Sequence, residues 1–230
     1  MFSTGPSPSH GRHARPLHAR ALRRRHPVVT AALTVSLAVA GVLAATVPPA
    51  QAAAPHGSTS GCGGRGVDAA ALIRYESDIV IKAPLATVWK LQTDVERWPS
   101  WQPPVTTAER LDPGRLETGS QFRWTTPAPA TPTTPATTLT ITSTVQELRR
   151  HRCVLWSGPA IGAGLRIDEG VHLWTFQKVQ GGVHVHTEET WTGPQVEADV
   201  PTATAALGAG LEAWLHDLKT TAEAHDEPQR

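Results

Sequence analysis

The sequence predicts an α+β domain in which a curved antiparallel sheet wraps around a long C-terminal helix, with two short helices after the first strand. Three observations carry that prediction. Between residues 73 and 191, apolar side chains recur with period two in runs separated by turn residues such as Asp112-Pro113-Gly114 and Gly181-Gly182, as consecutive hairpins require. Between residues 207 and 222 the apolar period becomes that of a helix. Directly after the first strand, Pro84 opens a short segment with helical spacing.

Taken in order, the first strand is 73–81, where Ile73, Tyr75, Ser77, Ile79 and Ile81 alternate with Arg74, Glu76, Asp78 and Val80. The helix after Pro84 carries Leu85, Val88, Trp89 and Gln92 at helical spacing, and Trp98-Pro99-Ser100-Trp101 suits a second short helix or turn that brings two indoles close. Six more strands follow at 105–111, 121–126, 138–146, 153–157, 166–177 and 183–191. Residues 127–137 hold four prolines among Ala and Thr and form a solvated loop between strands. The last helix, begun near Pro201 and about two dozen residues long, bears the stripe Leu207, Leu211, Trp214, Leu215, Leu218 and Ala222. Gly208 and Gly210 each cost roughly 1 kcal/mol inside a helix relative to alanine. They mark close approach to the sheet, room for a ligand, or a frayed first turn.

The fold begins late in the chain. Every charged residue before position 53 is an arginine, six in all, followed by an uncharged apolar stretch at 28–47 and then Ala50-Gln51-Ala52. That order is a secretory signal over residues 1–52. The stretch is also long enough to span a bilayer, so an uncleaved anchor stays open as the alternative. Residues 53–70 read as a flexible leader, and the ligand-binding domain as 71–225. A cut after Ala52 leaves 15 basic against 20 acidic side chains, so the charge of +1 becomes −5. A nucleic-acid partner, which needs a basic patch, is excluded on that ground. Contact with a membrane is expected only through an uncleaved N-terminal segment, and the predicted location is outside the cell or in its envelope. Cys62 and Cys153 stand as a disulfide or as two free thiols, since sequence carries no distance between them.

Side-chain alternation selects the site candidates. In the last strand Val183, Val185, Thr187, Glu189 and Trp191 share one face, and His184, His186 and Glu188 share the other. The apolar set faces inward, which aims Glu189 at the interior, where desolvation raises a carboxyl pKa. Glu189 could serve there in proton transfer or ligand binding, or make a structural bond to an indole N–H or to Arg123. His172 shares a face with Trp174 and Phe176 and is the natural partner for Glu189; it is a general acid–base candidate or a polar spot in an aromatic wall. The row His184, His186, Glu188 reads as solvent-facing polar surface, and no metal site or cofactor is expected. No serine sits in a nucleophile elbow and no glycine loop cradles phosphate.

The element order is that of the helix-grip fold. Ile79-Val80-Ile81-Lys82-Ala83-Pro84-Leu85-Ala86-Thr87-Val88-Trp89, the stretch from Asp94 to Trp101, Gly119-Ser120-Gln121-Phe122-Arg123-Trp124, His172-Leu173-Trp174-Thr175-Phe176 and Glu188-Glu189-Thr190-Trp191-Thr192-Gly193 resemble the START/Bet v1-like superfamily, in its bacterial polyketide cyclase/dehydrase-like (SRPBCC) branch. The resemblance runs from about Ile73 to about Glu223. It implies a cavity for a lipid, polyketide or other apolar molecule, in a family of cyclases, dehydratases and carriers, so fold leaves function open. By the same resemblance Trp98, Trp101, Trp124, Trp174 and Trp191 are cavity candidates, whereas Trp89 and Trp214 follow helix packing stripes. Two functions stand. One is an exported carrier enclosing a small apolar ligand in a Trp-lined cavity. The other is a cyclase/dehydratase-like enzyme using His172 and Glu189 for acid–base chemistry.

Overall fold

The computed structural model describes residues 61–132 and 134–226 of the 230-residue chain. The export segment expected at 1–52 lies outside the described residues. The elements run β1 (Ile73–Ile81), α1 (Leu85–Thr93), a 3-10 helix (Val95–Ser100), β2 (Thr107–Arg110), β3 (Gln121–Ala128), β4 (Thr137–Arg149), β5 (Cys153–Gly162), β6 (Leu165–Val179), β7 (Gly182–Thr192), α2 (Pro194–Glu197) and α3 (Val200–Asp226). The seven strands form one antiparallel sheet in the order β1-β7-β6-β5-β4-β3-β2. Every strand after β2 is therefore a hairpin neighbour of the one before it, and β1 closes against the last strand. This curved sheet with a long C-terminal helix is the helix-grip α+β fold. The short α2 carried no sequence signal beyond Pro194.

Two apolar clusters divide α3 between them. Its C-terminal half sets Trp214, Leu215, Leu218 and Ala222 against Val88, Trp98, Trp156, Trp174 and Phe176. Its N-terminal half sets Ala203, Leu207 and Leu211 against Ile73, Leu139, Ile141, Ala160 and Ile167. The helix is clamped laterally as well: Tyr75 and Ser77 of β1 both donate hydroxyl hydrogen bonds to Glu212, at 3.1 and 2.7 Å. Gly208 makes this approach possible, since a Cβ there would stand 2.7 Å from the Tyr75 ring.

The outer face of the sheet carries a third cluster, which ties down the leader. Cys62 and Cys153 form a disulfide with Cα atoms 5.5 Å apart, packed with Leu155 and Leu173. Cys62 also exchanges backbone hydrogen bonds with Arg65, and Arg65 donates to the Gln146 carbonyl at 2.8 Å. The part of the expected flexible leader from Gly61 onward is thus fastened to β4 and β5.

Candidate functional site

A cavity of about 240 Å3 lies at the seam between the two halves of α3, lined by β3–β7, the turn after the 3-10 helix, and α3 itself. Strand register explains why it is open. Gly158 of β5 pairs with Gly170 of β6, and Gly170 pairs with Trp191 of β7. Two adjacent strands therefore place no side chain on the inner face at that level. A register shift beyond Gly158 turns Ile167 inward near Gly170. On the opposite wall, α3 contributes Ala206, Gly210 and Ala213, beside Pro127, Ala128 and Pro129 from the end of β3.

One level along the sheet sits the polar group. Trp156, His172, Glu189 and Tyr75 are consecutive cross-strand partners on β5, β6, β7 and β1. His172 Nδ1 is 3.0 Å from Glu189 Oε2, and its Nε2 is 2.8 Å from the Thr187 hydroxyl. The Trp191 indole N–H donates to Glu189 Oε1 at 2.7 Å. Burial pushes the His172 imidazole down from 6.5 to about 3. Burial also pushes the Glu189 carboxyl up from 4.5 to about 7, against a smaller downward pull from the Trp191 N–H. Near neutral pH His172 is uncharged and Glu189 stands between acid and carboxylate. When Glu189 is ionised, His172 Nδ1–H donates to it and the Thr187 hydroxyl donates to Nε2. When Glu189 is protonated, both hydrogen bonds reverse. The pair can thus take up or release one proton without an uncompensated buried cation.

Of the sequence-predicted residues, the structure brings Trp124, His172, Glu189 and Trp191 to the cavity wall. Three others are elsewhere. Trp98 and Trp174 are fully buried and pack edge-on or tilted against Trp214 at 5.0 and 6.2 Å. Trp101 faces a separate surface groove beside Leu91 and Thr221. Alternation reports the face of a side chain and not its depth, so Trp174 could share the His172 face and still lie beneath α3. Trp214, read as packing, lines the cavity together with Trp156, which the sequence reading passed over. Arg123 pairs with Glu109 and not with Glu189.

The row on the outer face is not uniformly open to solvent. His184 and Glu188 do lie opposite the cavity, but Glu188 is 3% exposed and not a solvent-facing group. Glu76, His186 and Glu188 hold ligand atoms within 4.8 Å of one another. The guanidinium of Arg74 bonds both carboxylates and supplies the positive charge there.

Gln102 is a polar wall residue that carried no signal in the sequence. It lies in an aperiodic turn between Trp101 and Pro103, where no face can be assigned. It is 1% exposed, and its side-chain Nε2 and Oε1 have no hydrogen-bond partner among the described residues.

A helix-grip domain with an apolar cavity and an imidazole–carboxyl pair in its wall is of a ligand-binding or cyclase-like class. Residues 73–223 match the family described as polyketide cyclase/dehydrase and lipid transport, and the chain belongs to that family. No curated protein matches it. Among solved structures, TTHA0849 from Thermus thermophilus is 18% identical with a TM-score of 0.52, covering 67% of this chain and 99% of that one. The di-domain ARO/CYC StfQ from the steffimycin biosynthetic pathway is 16% identical with a TM-score of 0.51, covering 66% of this chain and 51% of that one. A START superfamily protein from Mycobacterium smegmatis is 12% identical with a TM-score of 0.50, covering 66% and 98%. At these identities the likeness establishes fold. No described helix is long and apolar enough to cross a membrane.

Proposed function

We propose that this protein is an exported carrier that encloses a compact apolar molecule, with the indoles of Trp124, Trp156, Trp191 and Trp214 supplying contact area and His172 with Glu189 fixing orientation. The observation that carries the reading is the cavity itself, whose wall is mostly apolar and whose few polar side chains are Gln102, Thr126, Ser143, His172 and Glu189. Its volume lies below the ~300–1,000 Å3 of drug-sized pockets. That favours a small ring system, such as a polyketide-derived fragment, over a long acyl chain. Export is supported by the arginine-then-apolar N-terminus and by the Cys62–Cys153 bond, which persists in oxidising compartments. Mass spectrometry of molecules extracted from the natively exported protein tests the reading. One dominant small apolar species is expected; a protein that holds nothing and binds no apolar probe would defeat it.

A cyclase- or dehydratase-like enzyme is the second reading, favoured by Glu189 being pushed up to about 7 beside a neutral imidazole. Glu189→Gln separates the two. A carrier keeps apolar-ligand affinity within about tenfold, since one hydrogen bond contributes only ~1 kcal/mol net. An enzyme using Glu189 as acid or base keeps binding but loses ~10²-fold or more in turnover.

A further inference from the structure

Gln102 uses its backbone fully and its side chain not at all. Its N–H donates to the Trp98 carbonyl at 2.8 Å, and its carbonyl accepts from the Val105 N–H at 2.9 Å. The side-chain amide, by contrast, is closed off even from water, with neither its donor nor its acceptor satisfied among the described residues, and it turns toward the cavity that its residue lines only to meet a bound molecule. Buried amides in folded proteins nearly always find partners, because an unmet one forfeits its hydration. Other buried polar atoms without partners belong to Gln92, Trp101, Arg110 and Trp174, none of which lines this cavity. Gln102 is therefore where an enclosed molecule can satisfy the protein.

The chemistry of a primary amide narrows what that molecule is. One edge of the amide presents an N–H beside a C=O, so its complement is a neutral group with an acceptor beside a donor. An ionised carboxylate offers acceptors only, leaving Oε1 unmet, and it would also bring negative charge into the cavity that Glu189 lines. A free carboxylic acid matches the pattern but loses its donor by ionising near pH 4. An ammonium offers donors only, and an alkyl chain offers neither. Four indoles in the lining, those of Trp124, Trp156, Trp191 and Trp214, favour an aromatic ring, and about 240 Å3 limits its size. We infer that the cavity takes a flat, neutral ring system bearing a lactam-type edge, an N–H adjacent to a carbonyl, which pairs with the side-chain amide of Gln102. This deepens the ligand-binding reading above and rests on it.

The test uses the mature, disulfide-bonded protein and three bicyclic probes of similar size: 2-quinolone, 1-methyl-2-quinolone and naphthalene. Isothermal titration calorimetry should show 2-quinolone bound roughly 10- to 100-fold more tightly than either of the others, because only it offers both partners. The methylated probe makes this comparison in the unaltered protein. Gln102→Leu should then bring the three affinities together while naphthalene binding stays within about threefold of its original value. Equal binding of all three probes by the unaltered protein would overturn the lactam assignment and leave the carrier reading standing. So would a folded Gln102→Leu protein, judged by near-ultraviolet circular dichroism, that kept the preference for 2-quinolone. If none of the three binds, the carrier reading falls together with the assignment.

Discussion

His172 and Glu189 are displaced in opposite directions by the same burial, and the two displacements give opposite pH dependences. Glu189 is harder to ionise folded than unfolded. Its contribution to stability is present below pH 4.5 and lost as pH rises through 7, a loss on the order of 3 kcal/mol at most. His172 resists protonation in the fold, so its contribution is present above pH 6.5 and lost as pH falls toward 3. Between pH 4.5 and 6.5 the two slopes offset. Glu189→Gln removes only the alkaline loss, so from pH 4.5 to 8 the variant should gain stability relative to the parent, by an amount approaching that figure. Urea unfolding at the two pH values measures it, and parallel curves would mean that Glu189 ionises freely in the folded protein. The inward direction of Glu189 was legible because β7 alternates without interruption from Val183 to Trp191. Gln102 was not legible, since a turn has no period and an unmet amide shows only in three dimensions.

At the scale of elements, α3 holds two glycines that sequence alone treats as equivalent. Their surroundings differ. A Cβ on Gly208 would meet the Tyr75 ring at 2.7 Å, whereas one on Gly210 meets nothing within 4 Å. Gly208→Ala should therefore destabilise by about 1–3 kcal/mol through overpacking against β1. Gly210→Ala should stabilise by up to about 1 kcal/mol through helix propensity. Thermal unfolding of the two single variants tests a difference of sign, and a shift in the same direction for both would refute this account of the helix. Close approach and ligand room, the two uses open from the sequence, are thus assigned to different residues two positions apart. Gly210 lines the cavity, so a large side chain is expected to act differently from alanine: Gly210→Phe should fill the space and reduce apolar-ligand affinity by about tenfold or more. The glycine pair Gly158 and Gly170 escaped the sequence reading because its effect depends on register between β5 and β6, which neither strand encodes by itself.

For the whole molecule, the order of strands and helices was readable because every strand from β3 to β7 pairs with its predecessor, so local turn signals suffice to set the topology. The link from leader to sheet was not, since it joins residues 91 positions apart. That separation also sets its energetic weight. Cross-linking a loop of this length removes unfolded-state entropy worth up to about 4–5 kcal/mol, with about 2–4 kcal/mol typical of measured disulfides. The bond lies on the outer face with Leu155 and Leu173, apart from both clusters that hold α3. Replacing Cys62 and Cys153 together by alanine should therefore lower the Tm by roughly 5–15 °C at about 2–4 °C per kcal/mol, yet leave ligand affinity within about threefold. Differential scanning calorimetry and titration with the same apolar probe measure the two halves of that expectation. An unchanged Tm would show that the bond adds nothing; lost binding in a still-folded variant would show that the outer face supports the cavity. Chain retained in a reducing cytoplasm should match the double variant and carry two thiols open to labelling after denaturation. Exported chain should carry none.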